Sequence, residues 1–466
     1  MTFTQISGAQ VRLHRQQFGL SQAKFAELTG VPQHLLSAYE LGKSDLPMNL
    51  ATMVAAALTR TPEVKALTGR AKRYEKHQYS TVPLVHSRMA RARATEGNVI
   101  YRSLLADLAA WHAGEKQSGL SAVSLFSGCG GFSLGFSAAG FAVKGYVEIG
   151  DSLRRIYRAN FPTSSELGSD ITGVSDDALT QIANGIGEVD VIVGGPPCQG
   201  FSLAGKRDVE DPRNELFRHY LRFVDALRPK IAFLENVRLL TSMKSSNGEF
   251  VKDLIAREFR RHGYRIDAFE VNAKDYGVPQ HRERVVFVAT RSDLRISPSI
   301  PAATHGGSTD LFSTIQPCRT FADACSDLPY IESGGATDDP LHAAVHHPDH
   351  VVKWLWDVEE GMSAHDNLHA NMRPPSGYNT TYKRQVWLEP ASTVQTTFGM
   401  ISGCRNVHPI ATRALTVREA ARIQSFPDQY RFVGSLGDMR TGIGNAMPPL
   451  LAHSLARHAR DLLQSR

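Results

Sequence analysis

The chain contains 466 residues, 42% of them hydrophobic and 21% charged, and this length predicts two or three domains rather than one core. No run of about 18 apolar residues is present, so we expect neither a membrane span nor a membrane partner. The first residues lack the apolar segment of a signal peptide, which predicts a cytoplasmic protein. The five cysteines form no CxxC pair, which argues against a disulfide framework and against a zinc or other metal site.

The positive charge is concentrated in the first quarter of the chain. Residues 1–118 contain 15 Lys and Arg against 8 Asp and Glu, whereas the whole chain has a net charge of +6. A local basic excess favours contact with nucleic acid or another polyanion, and in this case the protein would associate with the nucleoid. The alternative is that these Lys and Arg residues only solvate a helical segment.

The first predicted elements are three short helices within residues 10–42. Their sequences are "QVRLHRQQF", "GLSQAKFAELTG" and "VPQHLLSAYELGK". The short connection "TGVP" is typical of a helix-turn-helix, and Ala26, Val31 and Leu36 are spaced for a small shared core. A helical bundle without a DNA role is the alternative.

This stretch resembles the helix-turn-helix of phage-repressor-type regulators, in which the N-terminal residues of the second motif helix enter the major groove. We assign residues 1–60 to this domain. The resemblance implies base contacts by three residues and a phosphate contact by one: Gln33, His34 and Ser37 for the bases, and Gln22 for the phosphate.

Residues 61–118 are basic and compatible with helix, and we interpret them as a linker or as an arm along DNA phosphates. From residue 119 onward, short apolar runs such as "SAVSLF", "VDVIVGG" and "RVVFVAT" alternate with helical stretches. This alternation predicts an α/β domain with a doubly wound, mostly parallel, Rossmann-like sheet, formed by residues 119–291 together with 412–466. Residues 292–411 are rich in Pro, Gly, Ser, Thr and His, and we expect a second, irregular domain there.

A glycine-rich turn, "LFSGCGGFSLGF", follows the first predicted strand. In a doubly wound sheet a nucleotide-like cofactor binds at this turn, because small residues let it approach the backbone. Glu148 ends the next strand, where an acid can bond ribose hydroxyls, and Asp170 ends the third. Acids at strand ends are also common helix N-caps. The turn is not GxGxxG, which disfavours a dinucleotide.

Cys198, in "GGPPCQGFS", follows the fourth predicted strand at the same sheet edge. The preceding prolines fix the backbone, and a nearby helix N-terminus can lower the pKa of the thiol. These features indicate a positioned nucleophile in preference to a structural cysteine.

Three further polar residues belong to this edge. Glu235, in "FLENV", ends the next strand and can act as a general acid. Arg282 and Arg284, in "QHRER", lie two residues apart and so share one face of an extended segment. Such arginines can hold a phosphate or a developing negative charge, or they can form surface ion pairs.

The ordered set of motifs resembles that of bacterial-type DNA (cytosine-5)-methyltransferases. The set covers residues 120–295 and 412–466, in the family's order, and comprises FSGCGGF, VE, SDI, GGPPCQGFS, NELF, ENV, QHRER, RALTVREAARIQSFPD and GNAMPP. The resemblance implies a methyltransferase sheet and an enzyme that methylates carbon 5 of cytosine in duplex DNA. It also implies S-adenosylmethionine as co-substrate, without a metal.

The resemblance implies a covalent mechanism on a flipped base. Cys198 would add to carbon 6 of the cytosine, and Glu235 would hydrogen-bond N3 and the exocyclic amine. Arg282 would help to hold the base and, with Arg284, order the loop. Ser202 would contact the DNA.

The resemblance also implies a binding site for S-adenosylmethionine. Phe126 would stack on the adenine, and Gly128 and Gly131 would leave room for the methionine part. Glu148 would take the ribose hydroxyls, and Asp170 would accept from the adenine amine. The other positions implied for this site are Ile149, Ile171, Pro197, Leu216, Asn445 and Met447.

By the same resemblance, residues 292–411 would be the target recognition domain, in which "YKRQVW" and "STVQTTFGM" are candidates for the major groove. The helix-turn-helix would bind operator DNA of the protein's own gene, and a cognate restriction endonuclease would complete a restriction-modification system. Two alternatives stay open. One is a DNA-binding regulator with a decayed enzyme half, and the other is a tRNA cytosine-5 methyltransferase.

Overall fold

A computed structural model describes residues 7–9, 11–12, 22–44, 54, 93–197, 216–244, 248–307, 315–367 and 370–465. The chain forms two compact units. The sheet unit comprises Ala94–Ser326, Val386–Gly399 and Thr416–Arg466, and the N-terminal unit comprises Met1–Arg93, Asp327–Gln385 and Met400–Leu415.

The α-helices are, in chain order, α1 (Gln22–Thr29), α2 (Gln33–Glu40), α3 (Glu96–Ala113), α4 (Gly131–Ala138), α5 (Asp151–Asn160), α6 (Asp176–Ile186), α7 (Leu216–Leu227), α8 (Val251–Arg261), α9 (Phe321–Cys325), α10 (Asp349–Leu355), α11 (Val417–Ile423), α12 (Leu436–Asn445) and α13 (Pro449–Gln464). No helix among the described residues is long and apolar enough to cross a membrane.

The strands are β1 (Ser121–Leu125), β2 (Ala142–Val147), β3 (Ser165–Gly168), β4 (Val191–Gly194), β5 (Ile231–Val237), β6 (Tyr264–Asn272) and β7 (Glu283–Arg291). They form one sheet in the order β3-β2-β1-β4-β5-β7-β6. Strands β1 to β5 pair in parallel, and β7 lies antiparallel between β5 and β6. The predicted doubly wound, mostly parallel sheet is therefore confirmed, and the carboxyl ends of its parallel strands meet at one edge.

The sheet unit extends beyond the predicted catalytic residues at three places, 94–118, 292–326 and 386–399. Helix α3 lies in the segment interpreted as a linker, yet its N-cap Thr95 donates its backbone N–H to Ser326 Oγ at 3.1 Å. The buried Tyr101 hydroxyl donates to the Arg422 carbonyl at 2.7 Å. These bonds fasten α3 and the residues around Ser326 to the sheet unit, so the units differ in their bounds from the predicted domains.

The N-terminal unit contains the predicted helix-turn-helix, with α1 and α2 joined at Gly30, whose φ of +66° suits glycine. The predicted core residues Ala26, Val31 and Leu36 are buried. The same cluster contains Trp356, which is only 3% exposed. A residue of the predicted irregular domain therefore completes the core of the helix-turn-helix.

Candidate active site

The turn after β1 is shaped by close packing. Gly130 and Gly128 adopt φ values of +95° and +56°, which glycine adopts without strain. A Cβ on Gly130 would lie 2.6 Å from the Phe161 ring. A Cβ on Gly131 would lie 2.2 Å from the Met447 carbonyl oxygen. The turn therefore needs glycine in order to pack against its own unit.

Glu148 holds this turn from the end of β2. Its two carboxylate oxygens accept backbone N–H groups, one from Gly128 at 2.8 Å and one from Gly150 at 2.8 Å. Burial raises the pKa of Glu148, and the two N–H donors partly oppose this shift. Each oxygen keeps a second lone pair, so the carboxylate can still accept a further donor such as a hydroxyl.

The predicted cofactor site includes a second acid, Asp170, and several apolar residues. Asp170 Oδ1 accepts the Thr172 N–H at 2.9 Å and so caps a short 3-10 helix, leaving Oδ2 outside that bond. The adjacent Ile171 is buried in the main hydrophobic cluster, and Phe126 and Leu216 pack against that cluster. Ile149, by contrast, is 70% exposed.

The C-terminal segment returns to the glycine turn. Asn445, the last residue of α12, is exposed, whereas Met447 is buried and its carbonyl faces Gly131. The Tyr430 hydroxyl donates to the Cys129 carbonyl inside the same turn. Burial raises the pKa of the Cys129 thiol to about 12, which keeps it protonated and marks it as a structural cysteine.

The predicted nucleophile Cys198 and the predicted DNA contact Ser202 lie outside the described residues. The chain is described as far as Pro197, which is exposed. Asn236 Nδ2 donates to the Pro196 carbonyl at 3.1 Å. This bond fastens the backbone leading into Cys198 to strand β5. The role of Asn236 was missed from the sequence, although its motif "ENV" was recognised.

Glu235 and Arg284 form a shielded ion pair. Arg284 Nε lies 2.6 Å from Glu235 Oε1, and only 14% of each side chain is exposed. The β5–β7 register brings them together. Arg284 pairs with Val237, and Glu235 lies two residues before Val237, on the same face of β5. A Cβ on Gly195 would lie 2.9 Å from Glu235 Oε2. The carboxylate therefore lies against the backbone three residues before Cys198.

Arg282 has a different environment from Arg284. It is buried, and its guanidinium donates to the Val394 carbonyl at 3.2 Å and to the Gly444 carbonyl at 3.1 Å. Burial, followed by the charge of Arg284, lowers the pKa of Arg282. The two arginines therefore have different partners: Arg282 donates to backbone carbonyls, and Arg284 pairs with the Glu235 carboxylate. The sequence predicted that both arginines order one loop, and it did not distinguish their two environments.

Two buried glutamines extend this backbone support, and neither was predicted from the sequence. Gln280 Nε2 donates to Gln424 Oε1 at 2.8 Å, and Gln280 Oε1 accepts the Val394 N–H at 2.9 Å. Gln424 Nε2 donates to the Ile443 carbonyl at 2.6 Å. Both glutamines lie within motifs that were recognised in the sequence, "QHRER" and "RIQSF", but no role was predicted for them.

The two segments predicted to reach the major groove both contain buried residues. Arg384 and Trp387, within "YKRQVW", are buried. Val394 and Phe398, within "STVQTTFGM", are buried as well, and Val394 is held by Gln280. The second segment also contains exposed residues, among them Met400.

The predicted DNA-contacting residues of the helix-turn-helix are accessible in part. Gln33 and His34 are exposed at the start of α2, and Ser37 is half-buried. Gln22, the predicted phosphate contact, donates its Nε2 to Glu40 Oε2 at 2.9 Å, so its amide group is already hydrogen-bonded within the motif.

Two family models match the chain. The model of the C-5 cytosine-specific DNA methylases matches residues 120–460, and a helix-turn-helix model matches residues 11–64. The Type II methyltransferase M.DdeI of Desulfomicrobium norvegicum is 35% identical over 376 residues, which cover 72% of this chain and 88% of the relative. M1.HphI of Haemophilus parahaemolyticus is 37% identical over 341 residues, with 72% and 86% covered.

Solved structures show the same fold. An E. coli protein described as a candidate prophage-encoded DNA modification methyltransferase matches with a TM-score of 0.58 and 24% identity, over 74% of this chain and 99% of its own. The methyltransferase EhMeth of Entamoeba histolytica matches with a TM-score of 0.51 and 15% identity, over 74% and 99%. The sheet is thus that of the Rossmann-like methyltransferases.

Within that class, the match over residues 120–460 and the relatives above 30% identity decide the family. The chain belongs to the C-5 cytosine-specific DNA methylase family, as a DNA cytosine-5 methyltransferase with an N-terminal helix-turn-helix domain.

Proposed function

We propose that this enzyme transfers a methyl group from S-adenosylmethionine to carbon 5 of a cytosine flipped out of a specific duplex DNA sequence. The observation that carries the proposal is the shielded Glu235–Arg284 pair against the backbone of Gly195. This pair adjoins the strand end that leads into Cys198, so an acid and a nucleophile serve one base.

The residues around the glycine turn fit the adenosine part of the co-substrate. Glu148 keeps lone pairs for hydroxyls, and Asp170 keeps one carboxylate oxygen outside its capping bond. Ile149 leaves apolar surface uncovered beside these acids, and a planar adenine would remove that surface from water. When bound, S-adenosylmethionine supplies an electrophilic methyl group.

In the proposed reaction, the Cys198 thiolate adds to carbon 6 of the cytosine and makes carbon 5 nucleophilic. Glu235 takes up a proton and in this protonated form donates a hydrogen bond to N3, which stabilises the electron density that the addition places on the ring. After methyl transfer, loss of the proton on carbon 5 and elimination of the thiolate release 5-methylcytosine.

The two arginines, Arg284 and Arg282, support this reaction in different ways. Arg284 holds the Glu235 carboxyl group in position. Arg282 fixes the carbonyls of Val394 and Gly444, and so maintains the backbone around the site without needing to touch the substrate.

We further propose that the helix-turn-helix binds operator DNA of the enzyme's own gene, through Gln33, His34 and Ser37 on α2. The exposed start of α2 and the match to the helix-turn-helix model support this role. The relatives named as Type II methyltransferases support membership of a restriction-modification system with a cognate endonuclease.

The test is base-resolution mapping of 5-methylcytosine in plasmid DNA from a methylation-free host that expresses the protein. Methylation at one recurring sequence, absent from a Cys198→Ser control, is the expected result. If soluble protein leaves the plasmid unmethylated, purified enzyme should be assayed on tRNA. Transfer to tRNA would replace the DNA substrate, and no transfer to either would favour a regulator with a silent enzyme half.

A further inference from the structure

Two exposed loops of the N-terminal unit are joined into one surface element. Residues 376–382 and 403–406, called here the paired loops, meet at an antiparallel bridge between Thr381 and Cys404. Neither loop belongs to a regular helix or strand, so the bridge fixes their relative position.

The backbone of the paired loops is strained at two places. Tyr382 and Arg405 adopt φ values of +47° and +48°, a region that is unfavourable for a non-glycine residue. Among the described residues this conformation is rare outside glycine, and Phe126 in the proposed cofactor site is another example. Such strain persists where the surrounding structure enforces it, and it clusters at functional sites.

Buried groups hold the paired loops in place. Ser363 Oγ donates to the Thr381 carbonyl at 2.7 Å, and the Arg405 N–H donates to the Thr380 carbonyl at 3.0 Å. Next to the first loop, the fully buried Arg384 guanidinium donates to several backbone carbonyls: those of Leu355, Val358, His408 and Ala411. The strained loops therefore rest on a rigid base.

The outer surface of this base carries side chains suited to the edges of nucleobases. Tyr378 is 79% exposed, and Asn379 and Arg405 are exposed beside it. An amide can bond adenine in the major groove through two hydrogen bonds, and a guanidinium can do the same with guanine. A phenol adds a hydrogen-bonding group and a flat apolar face.

We propose that the paired loops read the DNA sequence that this methyltransferase recognises, through Tyr378, Asn379 and Arg405. The inference rests on the proposed function and deepens it, because it names the residues that select the substrate. Sequence-specific contacts require donors and acceptors held in fixed directions, which the anchored and strained backbone provides. The partner is duplex DNA, and the expected contacts are with base edges.

The experiment compares purified full-length variants Tyr378→Ala, Asn379→Ala and Arg405→Ala. Methyl transfer is measured on the duplex found by plasmid mapping and on duplexes with one base pair substituted. Each lost base contact should lower kcat/KM on the recognised duplex about tenfold to hundredfold. The preference over the duplex substituted at the contacted base pair should shrink by a similar factor, with an unchanged KM for S-adenosylmethionine.

Asn371→Ala is the matched control, because it removes an exposed asparagine of the same unit outside the paired loops. It should behave as the wild type. If the alanine variants do not fold, Asn379→Asp and Arg405→Lys preserve size while changing the hydrogen-bonding pattern, and the same ratio is measured.

The outcomes separate this inference from the proposed function. Wild-type enzyme that methylates neither plasmid nor duplex DNA would remove the proposed function itself. Active variants that all keep the wild-type preference among duplexes would overturn the role of the paired loops alone. An equal loss of rate on every duplex would also overturn it, because phosphate contacts position DNA without reading sequence.

Discussion

In the sheet unit, Glu235 and Arg284 lie on paired strands and meet at 2.6 Å with 14% of each side chain exposed. In the N-terminal unit, Tyr378 lies on an irregular loop with 79% of its surface exposed. The first arrangement shields two side chains that are proposed to act on the target base. The second leaves side chains accessible on a rigid support.

The difference teaches how the two sites tolerate change. A shielded pair on two strands depends on both partners, because removing one leaves a partly buried charge without its counterpart. An exposed loop residue can be exchanged with little cost to folding. We therefore expect loss of either partner of the shielded pair to lower the rate of the reaction strongly, and substitutions in the paired loops to weaken the preference among duplexes.

The largest expected effect is that of Glu235→Gln. The variant keeps the shape of the side chain but removes the acid and the partner of Arg284, so kcat should fall about 10²- to 10⁴-fold. Single-turnover methyl transfer to the recognised duplex measures this effect. Glu283→Gln, which changes an exposed carboxylate paired with Arg238, should stay within about threefold of the wild type. Equal losses in both variants would contradict the shielded-site interpretation.

The next effect concerns the core shared within the N-terminal unit. Trp356→Ala should lower the free energy of unfolding of this unit by about 3–5 kcal/mol, because it leaves a cavity beneath α1 and α2. Urea unfolding followed by circular dichroism measures the change. Trp354→Ala, two residues away and half-buried outside that cluster, should cost less. If the two variants lose the same stability, Trp356 is not part of the helix-turn-helix core.

The smallest effect is the acid response of the sheet unit. His453 stacks on Trp111 with ring centroids 5.2 Å apart, and burial lowers its pKa to about 4. The unfolded chain therefore binds this proton first, so the stabilising contribution is complete above about pH 6.5 and is lost as the pH falls towards 4.

Between pH 7 and pH 4.5, the wild type should lose about 1–2 kcal/mol more unfolding free energy than His453→Leu. Urea titrations at both pH values measure the difference. His350→Leu removes an exposed histidine of the N-terminal unit and should retain the wild-type pH response. The same response in His453→Leu as in the wild type would contradict the assignment.

The sheet and the polar residues at its edge were predictable from the sequence. The apolar runs of β4 and β5 lead into Gly194 and Glu235, and parallel strands bring such ends together. The different environments of Arg282 and Arg284 were not predictable. Alternation places both on one face of a strand, whereas the burial of Arg282 depends on Val394 and Gly444, which lie 112 and 162 residues further along the chain.

The recognition surface was predicted least well. "YKRQVW" has the charged and aromatic composition of a DNA contact, yet Arg384 and Trp387 are interior. Composition does not distinguish a buried guanidinium that binds carbonyls from an exposed one that binds bases. That difference depends on irregular backbone, for which the sequence offers no periodicity.

The place of Trp356 in the core of the helix-turn-helix has a consequence for biosynthesis. The ribosome makes α1 and α2 first, but Trp356, which packs in the same core, is translated about 300 residues later. At about 5–20 residues per second, that interval lasts roughly 15–60 s. During translation the helix-turn-helix is therefore incomplete, and its final packing is reached only after most of the methyltransferase sheet has emerged.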